Sequence, residues 1–294
     1  MKPFEIQAIS TDEVEDEMLD GYGIRLLVKR LDKTPSLPSG NKYFKLKYNL
    51  EEAKRKGFNT LLTFGGAYSN HILATAAAGK ESGFRTIGII RGEEKRDLNP
   101  LLKKAKELGM EFFQVDRTIY REKNKPDFLI ELKKNFGNFY LLPEGGSNKL
   151  AVEGCKEILD KAGIQADSVF CCCGTGATLS GIILSLKEGQ RAVGISVLKG
   201  GAFLENNVQG FLDEFSHKTT GNWCIKTNYS HGGYARSNED LRMFMQRFKF
   251  KTGIPVEFVY TGKMFFAIYD LAKKGYFRKG ETVMAIHTGG VFIP

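Results

Sequence analysis

The sequence predicts an α/β protein of two lobes. Seven short runs are apolar almost throughout, helix-length segments separate them, and two of the runs end in glycine-rich turns. Strands that are apolar on both faces belong to parallel sheets covered by helices on each side; a sheet half open to water would show alternation.

The chain opens on MKPFEIQAISTDEVEDE, acidic where a secretory or mitochondrial presequence is basic and apolar, so the expected compartment is the cytoplasm. No apolar run approaches the roughly 20 residues that a membrane helix needs. A first break, SLPSGN (36–41), precedes a helical pattern from Lys42 to Lys56. The strand candidates follow: TLLTF (60–64), TIGII (86–90), EFFQV (111–115), FYLL (139–142), SVFCCC (168–173), AVGISV (192–197) and TVMAI (282–286). A second break, PEGGSN (143–148), interrupts the series. The two breaks predict a larger lobe formed by 1–45 and 146–294, with a smaller α/β lobe, 46–145, inserted in it.

At 294 residues and 42% hydrophobic content the chain can bury one large core or two modest ones. Its net charge of +9 is spread among acids, as in RGEEKRDLNPLLKKAKELG (91–109), which argues against a nucleic-acid partner. Three of the five cysteines are consecutive, Cys171 to Cys173, and alternate faces in a strand. They cannot converge on one metal, so buried reduced thiols are expected and no metal site.

Two strand–loop–helix segments carry the chemical signal. After SVFCCC come Gly174, Thr175, Gly176, Ala177 and Thr178 and then a helix. Glycines let successive N–H groups turn toward one anion at a helix N-terminus, which outlines a phosphate cradle. Taken alone, this loop has a tight turn without a ligand as its lesser alternative. After TLLTF, Gly65 and Gly66 lead to Ser69, Asn70 and His71 in a first helical turn, suited to a small anion. A plain helix cap is the alternative there.

Three lysines fall in PSGNKYFKLKYN (38–49). At about 100° per residue, Tyr43, Leu46, Leu50 and Ala53 form an apolar stripe. Lys42 lies at its edge, Lys45 on the neighbouring ridge, and Lys47 among Glu51 and Lys54. Lys42 is the best placed to reach inward, where apolar walls favour a neutral amine able to condense with an aldehyde.

GNKYFK, GGAYSNH, the glycine loop, VYTGK (259–263) and HTGG (287–290) together resemble one family. The chain is similar to the pyridoxal-phosphate enzymes of the tryptophan synthase β-like fold (fold type II), and within them to the 1-aminocyclopropane-1-carboxylate deaminase / D-cysteine desulfhydrase family. The resemblance implies pyridoxal 5'-phosphate as cofactor, an amino acid as substrate and a homodimer. It makes Lys42 the covalent partner of the cofactor aldehyde and a proton carrier. Lys45 lies near the phosphate with Gly174 to Thr178, Asn70 bonds the ring hydroxyl, and Ser69 contacts the substrate carboxylate with a catalytic part. Ser69, Asn70 and His71 are thus substrate-side residues, Tyr234 and Tyr260 line the same side catalytically, and Lys47 keeps its solvated reading.

In this family, cyclopropane deaminases carry glutamate and leucine where this chain has Thr261 and Thr288. A carboxylate beside the pyridine nitrogen keeps it protonated and strengthens the ring as an electron sink, whereas a hydroxyl holds no proton there. Both threonines therefore count as cofactor-binding residues that favour the loss of a good leaving group, as in D-cysteine cleavage to sulfide, pyruvate and ammonia. The alternatives are a 1-aminocyclopropane-1-carboxylate deaminase or another lyase or racemase of the fold and, in a different class, a cofactor-free nucleotide- or nucleic-acid-binding protein.

Overall fold

The computed structural model describes residues 9–34, 38–93, 97–159, 165–217 and 221–290. Residues 1–8 of the acidic opening, and 36 and 37 of the first break, lie outside the described residues. Among the described residues, ten strands form two sheets. They are β1 Thr11–Val14, β2 Arg25–Arg30, β3 Thr60–Gly66, β4 Arg85–Arg91, β5 Glu111–Val115, β6 Tyr140–Leu142, β7 Ser168–Cys173, β8 Arg191–Ser196, β9 Trp223–Lys226 and β10 Thr282–His287.

One sheet has the order β1-β2-β10-β7-β8-β9, the other β5-β4-β3-β6. Every pairing is parallel except β1 with β2. All seven expected runs are strands. β7 shows why they were legible: each of its residues is buried, Cys171 and Cys173 in the core on one face and Cys172 in the core on the other. All five cysteines are free thiols.

Three strands carried no usable pattern. β1 (TDEV) is short and acidic, β9 (WCIK) is four residues long, and β2 (RLLVKR) has cations at both ends. Arg30 of β2 is nonetheless buried, because Asp12 and Asp32 each pair with it at 2.6 Å. A paired guanidinium takes a position that composition assigns to water.

The helix Asn41–Arg55 buries Tyr43, Leu46, Leu50 and Ala53, as its stripe predicts, and also Lys45, 2% exposed. Lys47 turns outward to Glu157 at 2.7 Å. No helix of the described residues is long and apolar enough to cross a membrane.

Candidate active site

The C-terminal ends of β3, β4, β7 and β10 open onto one cleft of about 800 Å³, lined among others by Ser69, Asn70, Arg91, Gly174, Thr175, Gly176, Thr288 and Gly290. Parallel sheets gather ligands at these ends, where loops meet the N-termini of the following helices.

Lys42 and Lys45 enter the cleft from the helix Asn41–Arg55. The Lys42 amine lies 3.3 Å from the carbonyl oxygen of Gly145. Burial holds its pKa well below the usual lysine range, and the charge of Lys45 lowers it further. Lys45 donates to Gly145 O at 3.0 Å, Ser147 Oγ at 2.9 Å and Thr175 Oγ1 at 3.4 Å. Burial lowers its pKa as well.

Gly176 has φ +94°, a conformation that L side chains avoid, and caps the helix Ala177–Ser185. Gly174 to Gly176 and Thr178 line the cleft beside Lys45, while Ala177 is fully buried. Thr178 Oγ1 accepts from Asn41 Nδ2 at 2.9 Å, which ties the lysine helix to the loop.

Across the cleft, Ser69 is the N-cap of the helix Asn70–Ser82, yet its hydroxyl makes no capping bond. The simple-cap alternative therefore does not account for its side chain, which is left to face the cleft with Asn70. Tyr260 donates to the Tyr234 hydroxyl at 3.4 Å, the rings meeting edge to face. Burial pushes both phenols up, so both keep their protons at neutral pH.

His71 does not reach the cleft. It is 1% exposed, and its Nε2 lies 2.8 Å from Thr63 Oγ1. That hydroxyl donates to Leu142 O at 2.9 Å, so Nε2 carries the proton and donates, and Nδ1 has no partner. One residue past Asn70, the helix has turned this side chain toward β3, and His71 anchors the helix instead of contacting a ligand.

Thr261 is also corrected as a cofactor contact. It is fully buried, and its Oγ1 donates to Glu257 Oε1 at 3.2 Å and accepts from the Glu257 amide at 3.1 Å. Glu257 caps the helix Thr261–Lys273: its carboxylate takes the N–H groups of Val259, Tyr260 and Thr261 at 2.6, 2.9 and 2.8 Å. Only Thr288 of the two threonines lines the cleft, together with Cys172.

Sequence reasoning passed over Asn41, Gly145, Ser147 and Cys172. PEGGSN was read as a break only, although its paired glycines, like those of the other loops, signalled backbone brought close to a ligand. Cys172 gave no signal of its own.

A buried amine whose neutral form is favoured, an anion cradle of loop amides, hydroxyls and Lys45, and a cleft joining them fit pyridoxal 5'-phosphate. Lys42 would take the aldehyde, and Gly174 to Gly176, Thr178, Thr175 Oγ1, Ser147 and Lys45 would hold the phosphate.

This fold and site define a pyridoxal-phosphate enzyme of fold type II. The family described as "Pyridoxal-phosphate dependent enzyme" matches residues 15–289, and the chain belongs to it. The expected relatives are present. The Pyrococcus horikoshii protein named "Putative 1-aminocyclopropane-1-carboxylate deaminase" is 30% identical over 92% of this chain and 85% of its own. The Arabidopsis thaliana "Bifunctional D-cysteine desulfhydrase/1-aminocyclopropane-1-carboxylate deaminase, mitochondrial" is 27% identical, over 92% and 73%. A crystal structure of an "ACC deaminase homologue" superposes with a TM-score of 0.81 at 28% identity, covering 97% of this chain and 90% of that one.

Proposed function

We propose that the chain cleaves a cysteine-like amino acid by α,β-elimination, with D-cysteine giving sulfide, pyruvate and ammonia as the leading reaction. Bound pyridoxal phosphate supplies an aldehyde that condenses with the substrate amine and a ring that accepts electron density from Cα.

The chain's own groups divide the remaining work. Ser69 and the helix N-terminus behind it receive the substrate carboxylate. Lys42 Nζ, whose neutral form burial favours, is the base for the Cα proton. Tyr234 and Tyr260 hold their protons and donate toward the departing group.

One observation carries the choice of reaction. The wall formed by Thr288 and Cys172 presents neutral groups, and the buried carboxylate whose charge acts on Cys172, Glu257, is committed to the helix cap. A ring with no anionic partner is a weaker electron sink, which suits a substrate whose leaving sulfur carries away the charge. The D configuration and the sulfur substrate follow the name of the Arabidopsis relative. The names of the Pyrococcus relative and the homologous crystal structure favour a second reading, opening of the cyclopropane amino acid.

Sulfide and pyruvate release from D-cysteine, set against 2-oxobutyrate release from 1-aminocyclopropane-1-carboxylate, separates the two. Release of 2-oxobutyrate alone would overturn the elimination reading. Lobe boundaries at 45/46 and 145/146 and a homodimeric assembly belong to the same proposal; limited proteolysis and light scattering test them.

A further inference from the structure

Arg91 ends β4 at the mouth of the cleft, and the chemistry above leaves it unused. Its guanidinium carbon lies 5.6 Å from the centre of the Tyr120 ring. Its Nη2 stands 3.5 Å from where a Cβ would sit on Gly66, the glycine that ends β3. Its charge also acts on the Tyr234 hydroxyl, placing it within electrostatic reach of the tyrosine side of the cleft.

The neighbouring carboxylate is already engaged. Glu144 accepts from the Tyr120 hydroxyl at 2.8 Å and pairs with Lys123 at 3.3 Å. Among the described residues, nothing accepts a hydrogen bond from the Arg91 guanidinium. Arginine offers five donors in a planar fork matched to carboxylate, sulfonate and phosphate. Arg91 is exposed, and its guanidinium sits over the Tyr120 ring and beside Gly66 at the cleft, open to a ligand. With Arg91 and Lys123 against one Glu144, this side of the mouth carries a net positive charge.

We propose that Arg91 forms an anion subsite selecting amino acids whose β-substituent bears an acidic group. The inference rests on the elimination reading and names its substrate class. The Cα proton passes to Lys42 Nζ, the Cβ–S or Cβ–O bond breaks with its electron pair leaving on the heteroatom, and Arg91 holds the acidic end of the departing group. Water then completes conversion of the remaining fragment to pyruvate and ammonia, with no oxidant or reductant consumed.

The test uses the holoenzyme with both enantiomers of O-phosphoserine and cysteine S-sulfonate, compared with the neutral substrate β-chloroalanine. Binding of aspartate against alanine is followed in parallel by the visible absorbance of the bound cofactor. Arg91→Gln is expected to lower the preference for acidic over neutral ligands about tenfold or more, through KM, with Arg91→Lys restoring part of it. In the wild type, raising salt from about 20 mM to about 500 mM should erode the same preference, a readout that needs no variant. A preference unchanged by both Arg91→Gln and salt overturns the subsite and leaves the elimination reading standing. If neither acidic nor neutral amino acids perturb the wild-type absorbance, the elimination reading falls and the subsite with it. Phosphate-, sulfonate- and carboxylate-bearing ligands are ranked by the separate arms.

Discussion

Lys42 and Lys45 share one acceptor, the carbonyl oxygen of Gly145, at 3.3 and 3.0 Å. Two ammonium groups on one oxygen repel, and burial already disfavours charge on both. Lys45 has two further hydroxyl partners, Ser147 and Thr175. It is therefore the better-supported cation, and burial together with the charge of Lys45 favours the neutral form of Lys42. One helix thus brings two amines, one turn apart, to the same carbonyl oxygen.

Borohydride reduction followed by mass spectrometry should place the cofactor label on Lys42. Lys42→Ala should carry none, and Lys47→Ala should label fully, because Lys47 is paired with Glu157 away from the cleft. Lys45→Ala should still label but lose cofactor on dialysis, with affinity down about 10- to 100-fold for one charge-assisted contact.

Gly146→Ala should destabilise the protein by about 2 kcal/mol or more. Gly146 has φ +65°, and a Cβ there would stand 2.7 Å from His71 Cε1. The added methyl would press the imidazole against its Thr63 contact and strain the segment that carries the Gly145 carbonyl. Chemical denaturation measures the loss, and a midpoint equal to wild type would refute this packing account.

Glu257→Gln should cost about 1.5–3 kcal/mol, because an amide replaces one acceptor oxygen with donors that face backbone N–H groups. It should also disturb Tyr260, whose amide bonds directly to this carboxylate. Glu257 acts as a positioning residue, so a changed pH profile for turnover should accompany the fall in stability.

The contribution of Lys263 to the stability of the cofactor-free protein should rise with pH between about 8 and 9, against an opposing one from the buried thiols of Cys155, Cys171, Cys172 and Cys173, whose pKa burial raises. Lys263 is fully buried between Gly233 O at 2.7 Å and Val197 O at 3.4 Å, and burial brings its pKa to about 8. The unfolded chain keeps that proton up to the ordinary lysine range. Between the two values it binds more protons than the native state, so this contribution increases with pH, by at most about 1.4 kcal/mol per unit for one group. Lys42 and Lys45 act in the same direction. Lys263→Met should flatten the slope in pH-dependent thermal unfolding. His71, held neutral by burial and by the nearby lysines, adds a loss of stability as pH falls through the usual histidine range.

Most of the architecture was legible because β3, β4, β7, β8 and β10 are apolar enough to be recognised without their neighbours. β2 was not, since its buried Arg30 depends on Asp12, brought to it by the pairing of β1 with β2, as well as on Asp32 two residues along. Ser69 and Asn70 line the cleft, whereas His71 is buried against Thr63. One step along a helix turns a side chain by about 100°, and the phase of that rotation relative to the cleft is set by packing. Thr261 and Thr288 were read as equivalent neighbours of the cofactor, but only one faces the cleft.

By itself the sequence determined the α/β class, the buried parallel strands, the glycine turns and a lysine able to face inward, because each depends on local conformational preference and on periodicity. Only the tertiary structure decided that four strand ends share one cleft, that Gly145 couples two lysines, and that Arg91 stands at the mouth. Those facts depend on contacts between residues far apart in the chain, and a pattern read along one dimension carries no distance between them.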